Sequence, residues 1–152
     1  MGSVAQAQDG PGYEETLNFL HEKLNLQSSS DLQKLVQNKK CEFSIVIETL
    51  CCGVSVGNIE TYTFKIKYFD PSKVKFYQDS VRDFYGETVI QTIKNKRVVN
   101  WSSRNPGYDP LSKRLSRAIF RLVRPPQSDN GPRVVRALKH LIRLCGGQEE
   151  LF

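Results

Sequence analysis

Two runs of cations carry the chemistry that this sequence can offer. Lys113, Arg114, Arg117, Arg121 and Arg124 form the first, and Arg133, Arg136, Lys139 and Arg143 the second. Within each run the cations recur mostly three or four residues apart, so a helix would gather them on one outer stripe. Residues 94–143 hold 13 Lys and Arg against 2 Asp and Glu, whereas residues 1–93 hold 9 against 12. Cations without interleaved carboxylates suit a polyanion, and phosphate is the commonest one. Trp101 and Tyr108, with Arg104 between them, stand just upstream and could stack on unpaired bases, although a tryptophan such as Trp101 is more often a core residue. A solvated basic surface, an acidic protein and an anionic membrane surface are the competing readings of the same charges.

Other chemistry is thinly represented. The four cysteines, Cys41, Cys51, Cys52 and Cys145, form no C-x-x-C pair, and His21 and His140 lie far from them. Zinc-ligand spacing is therefore absent, and reduced, metal-free thiols are expected, with a distant zinc site or redox pair as the alternative. No glycine-rich phosphate loop, nucleophile elbow or H-E-x-x-H pattern occurs, and His140 lies among surface cations. The expectation is a binding protein, not an enzyme, with no cofactor. No apolar run nears the roughly 18 residues of a membrane span, and no secretory signal is expected. Met1-Gly2 begins as a myristoylation signal does, but Gln6 stands where Ser or Thr is required. Lys94-Asn95-Lys96-Arg97 could serve nuclear import, so an intracellular, nuclear location is expected.

These residues need elements to hold them. Residues 1–12 are small and polar and read as a disordered tail, residues 13–147 as one α+β domain, and residues 148–152 as an acidic-apolar tail. Leu17, Leu20 and Leu24 predict a helix over 13–26, and Leu32, Leu35 and Val36 a second short one capped by Ser30 or Asp31. Phe43, Ile45 and Ile47 alternate in a strand over 41–50, and residues 51–58 read as a connection. Tyr62, Phe64, Ile66 and Tyr68 alternate with Thr61, Thr63, Lys65 and Lys67 in another strand. Further strands are expected near 74–77, 87–93 and 98–101, with a helical turn over 79–85 as an option, and a loop over 101–110.

Asp109-Pro110 and Pro132 then read as the starts of two amphipathic helices, Pro125-Pro126 as the break between them, and Gly146-Gly147 as the end. Leu111, Leu115, Ala118, Ile119 and Leu122 would face inward in the first. Val134, Val135, Leu138, Leu141, Ile142 and Cys145 would do so in the second. The fold expected is α+β: N-terminal helices, an antiparallel sheet of about four or five strands, and a C-terminal pair of basic amphipathic helices that contacts nucleic acid, DNA or RNA.

The segment Asn58–Tyr68, NIETYTFKIKY, resembles the strand bearing the I-E-x-Y-x-F pattern in HORMA domains. The resemblance covers about a tenth of the chain as motif. It implies an adaptor that captures a partner's peptide at a sheet edge by adding a strand. Under that reading the arginines would meet acidic partner surfaces.

Overall fold

The computed structural model describes residues 10–27, 30–78, 85–123 and 130–149. Outside them lie residues 1–9 of the tail expected over 1–12, residues 79–84 of the helical turn expected over 79–85, Arg124, the Pro125-Pro126 break, and residues 150–152 of the expected C-terminal tail. Helix α1, Tyr13–Leu24, buries Thr16, Leu17, Leu20 and Leu24 on one stripe, as the leucine spacing predicts. Chain reversal then begins a long antiparallel sheet. Its strands are β1 (Leu26–Gln27), β2 (Asp31–Lys39), β3 (Glu42–Cys51), β4 (Val54–Lys65), β7 (Val99–Arg104) and β8 (Leu111–Leu115). Their spatial order is β1-β2-β3-β4-β7-β8. A second sheet, in the order β5-β6-β9, contains β5 (Lys75–Gln78), β6 (Tyr85–Gln91) and β9 (Arg117–Val123). Helix α2, Asn130–Leu144, closes the described fold.

The expected pair of C-terminal helices is corrected: residues 111–123 form strands β8 and β9, and α2 alone is helical. Leu111, Leu115, Ala118, Ile119 and Leu122 satisfy a helical period, but Ala118 and Phe120 satisfy a period of two and are the buried pair. A partner strand decides between them. β6 pairs with β9 over seven residues, from Tyr85↔Val123 to Gln91↔Arg117, supplying hydrogen bonds that an isolated helix of this length could not match.

The expected helix over Leu32–Val36 is likewise a strand, β2. Its alternation is hidden because one inward residue, Gln33, is polar and yet 2% exposed. That buried amide is fully used. Its Oε1 accepts the Arg121 N–H at 2.7 Å, and its Nε2 donates to the carbonyls of Arg121 and Leu24, each at 2.9 Å. A side-chain carboxamide thus imitates one rung of a ladder and ties β9 to β2 across the two sheets.

In the long sheet, cross-strand register puts Leu35, Ile45, Tyr62 and Trp101 on one face, and Phe43 beside Phe64 on the same face. Val99 of β7 joins this face, and Leu20, Leu24, Ile90, Phe120, Leu138, Leu141 and Ile142 close the core over it. Tyr62, Phe64 and Ile66 are buried while Lys65 and Lys67 are exposed, as alternation requires. Tyr68 departs from the pattern, at 38% exposure, because β4 gives way to a short 3-10 turn over Ile66–Tyr68. The connection expected over 51–58 is instead a tight turn that carries β3 straight into β4.

Helix α2 ends as its glycines predict. Gly146 lies at φ +88°, Gly146 N–H donates to the Arg143 carbonyl, and Gly147 N–H to that of Ile142. Those bonds satisfy carbonyls left open at the helix end. One residue earlier, Cys145 is joined in a disulfide to Cys41 in the β2–β3 turn, with a Cα–Cα separation of 5.7 Å. This corrects the expectation of four reduced thiols. A sequence separation of 104 conceals a pairing that exists only because α2 docks over that turn.

Candidate polyanion-binding site

β8 is the outer edge of the long sheet, and it carries two of the expected site cations on opposite faces. Register sets Lys113 across from Trp101, and Arg114 across from Asn100. The Lys113 ammonium stands 5.7 Å from the Trp101 ring centroid, close enough for cation–π attraction. Trp101 in turn donates its indole N–H to Glu60 Oε1 at 2.7 Å, and the Tyr62 hydroxyl donates to the same oxygen at 3.2 Å. Burial, and after it the charge of Glu60, raises the Tyr62 pKa well above its ordinary value, so its proton stays in that bond.

A surface hollow of about 760 Å³ is lined by Arg97, Lys113, Arg114, Leu115 and Ser116. A neighbouring one of about 420 Å³ shares Lys113 and Arg114 and adds Thr63, Asn100, Ser102 and Ser112. No carboxylate among the described residues lines either hollow. Among the described residues, none of Arg97, Lys113, Arg114 and Arg117 has a carboxylate partner within 4 Å. Three cations, flanking hydroxyls and an amide therefore converge on one exposed edge. Guanidinium and hydroxyl groups in that arrangement suit phosphate oxygens.

The other expected site residues go elsewhere. Arg121 pairs with Asp31 at 2.9 Å and is half-buried, so it serves the junction between the sheets. Arg117, next along from Ser116, is exposed and adjoins the β8 cluster in sequence. The α2 cations form a separate surface. Arg133 lies 5.1 Å over the Phe19 ring, Arg143 pairs with Glu149 at 3.0 Å, and Arg136 shares a groove with Glu15. Lys139 is half-buried there, and His140 bonds through Nε2 to the Pro11 carbonyl at 2.6 Å. α1 packs on β2 and β9, and α2 on α1, β5 and β6, while β8 pairs with β7 at the edge of the long sheet. Among the described residues, the single helical surface expected to join Lys113, Arg117, Arg121, Arg133, Arg136, Lys139 and Arg143 is therefore divided between a helix and two strands, and Arg124 lies outside them.

Of the two stacking candidates, Trp101 is partly buried against the core and takes Lys113 over its ring. Tyr108, at 78% exposure in the loop between β7 and β8, is open to solvent. The sequence marks Arg97 only as part of a nuclear-import patch; in the fold it lines the hollow, just after a turn in which Lys94 and Asn95 both take positive φ. Among the described residues no three His, Cys, Asp or Glu side chains gather as a metal-binding group, and no helix is long and apolar enough to cross a membrane. Comparison of the chain with family models, with curated proteins and with solved structures gives no match.

Proposed function

We propose that this chain is a non-enzymatic binding protein that holds the phosphate backbone of a nucleic acid along the outer edge of its long sheet. The observation that carries the reading is the convergence of Arg97, Lys113 and Arg114 on hollows that, among the described residues, no carboxylate lines. Phosphates would lie against these cations and the hydroxyls of Ser112 and Ser116, while exposed Tyr108 at the end of the same hairpin offers a ring to an unstacked base. Recognition of this kind reads backbone and shape, since no array of side chains for base edges accompanies the cations.

The test is anisotropy of a labelled single strand and a labelled duplex, titrated at several salt concentrations. Three phosphate contacts predict a slope of log K against log salt of about −2 to −3. Absence of measurable affinity for either probe at low salt would overturn the reading.

One observation favours a second reading. Among the described residues β8 has no strand on its outer side, and it bears Leu111 at 54% exposure, so an acidic peptide could add as a further strand. This is the adaptor function that the HORMA-like segment implies. Binding to a stoichiometric protein partner that survives high salt would separate it from the first. The basic run Lys94–Arg97 supports a nuclear location, and the Cys41–Cys145 disulfide weighs against it, because nuclear thiols are kept reduced.

A further inference from the structure

The free cysteines lie at the tip of the β3–β4 hairpin, away from the disulfide and on the opposite end of β3. Cys51 is the last residue of β3 and pairs with Val54, leaving Cys52 and Gly53 as a two-residue loop. Both loop residues have positive φ, 55° and 80°, which is what a type I′ turn demands. Gly suits the second position, but Asn, Asp or Gly is the ordinary occupant of the first. A cysteine there is held in a backbone region that its own preferences do not favour.

That backbone brings the sulfurs together. Along a continuous strand, consecutive side chains point to opposite faces. The left-handed turn at Cys52 cancels the alternation and sets its Sγ 3.5 Å from that of Cys51, with both residues exposed. Two thiols on adjacent residues, in contact and open to solvent, form a dithiol that a small electrophile can reach at either sulfur.

The geometry points to Cys51–Cys52 as a reversible thiol–disulfide exchange site for low-molecular-weight disulfides. In the first step the thiolate of one cysteine attacks a sulfur of the small disulfide. A mixed disulfide forms and one small thiol leaves. The neighbouring cysteine, having lost its proton to solvent, then attacks the protein sulfur of that mixed disulfide. The ring between Cys51 and Cys52 closes and the second small thiol departs. The protein loses two electrons and two protons, and the small disulfide is reduced to two thiols.

The ring is easily reopened. Adjacent Cα atoms across a trans peptide stand about 3.8 Å apart, shorter than the roughly 4.4–6.8 Å of ordinary disulfides. Strained, exposed disulfides of this kind are the readily reduced ones. Closing it also costs the Cys51–Val54 pair, the last rung of the hairpin, so oxidation would loosen the tip of β3 and β4.

The experiment treats the full-length protein with oxidised glutathione, quenches with acid, and maps the peptide released by cleavage after Glu48 and Glu60. That peptide contains Cys51 and Cys52 and neither Cys41 nor Cys145. The expected product is lighter than the thiol form by two hydrogens and carries no glutathione, and excess reduced glutathione restores the thiols. In Cys52→Ser the same treatment should leave one stable glutathione on Cys51. The proposal fails if wild type keeps both thiols, accumulates stable adducts at both, or yields the ring in a form that excess glutathione does not reopen.

Discussion

Helix α2 and strand β8 are both rich in cations, yet the fold uses them differently. On α2 the charges have neighbours: Arg143 meets Glu149, Arg133 lies over Phe19, and Arg136 shares its groove with Glu15 of α1. On β8, Lys113 and Arg114 look out from both faces of an edge strand, and the described carboxylate nearest in register, Glu60, is bonded to Trp101 and Tyr62. The difference lies in what flanks each element. α1 supplies Glu14 and Glu15 in its first turn beside α2, whereas β8 has a partner on one side only. Charge density along the sequence therefore does not distinguish cations with close neighbours, as on α2, from cations without a carboxylate partner among the described residues, as on β8.

The strongest test of α2 as a structural element is the disulfide at its end. Cys145→Ser opens a loop of about a hundred residues and should cost about 2–5 kcal/mol, read by urea denaturation under non-reducing conditions. A loss below 1 kcal/mol would mean that α2 is held by its apolar stripe alone.

The comparison itself is tested by two charge-matched triple variants. Replacing Arg97, Lys113 and Arg114 with Ala should weaken binding of a labelled strand roughly 100-fold, or about 3 kcal/mol, and flatten the salt slope by about 2–3. Replacing Arg136, Lys139 and Arg143 should change affinity by less than about threefold, with circular dichroism unchanged in both. Equal losses would restore a single surface spanning helix and strand; a loss confined to the α2 variant would move the site there.

A smaller effect separates β9 as a strand from the helix that its periodicity suggests. Gln33→Ala removes the amide that satisfies both backbone groups of Arg121 and should destabilise by about 2 kcal/mol. A neutral result would show that β9 does not rest on β2.

The smallest concerns Tyr62, beneath the Lys113–Trp101 pair. Its folded pKa is raised above 10.0, so the neutral form stabilises the fold fully below that pH, and the contribution is lost as pH climbs through the folded value. In a tyrosinate absorbance titration it should lag the exposed tyrosines, and in Glu60→Gln it should lag less. Titration with the rest in wild type would break the proposed Glu60 bond.

Several elements were legible from side-chain spacing because a single period fitted them. α1, the alternation of β4 and the apolar stripe and glycine end of α2 belong here. The absence of carboxylates between Lys94 and Tyr108 was equally plain. Residues 111–123 were not legible, since their apolar positions fit two periods, and β2 was not, since a buried glutamine interrupts its pattern.

Composition and spacing by themselves determined the unequal charge distribution and most core-facing residues of α1, β3, β4 and α2. Only the tertiary structure decided which cations share a surface, that Cys41 meets Cys145, and that Cys51 lies against Cys52. The reason is physical. Periodicity reports the face a residue presents on its own element, while partner strands, turn handedness and docking of distant elements set what that face meets.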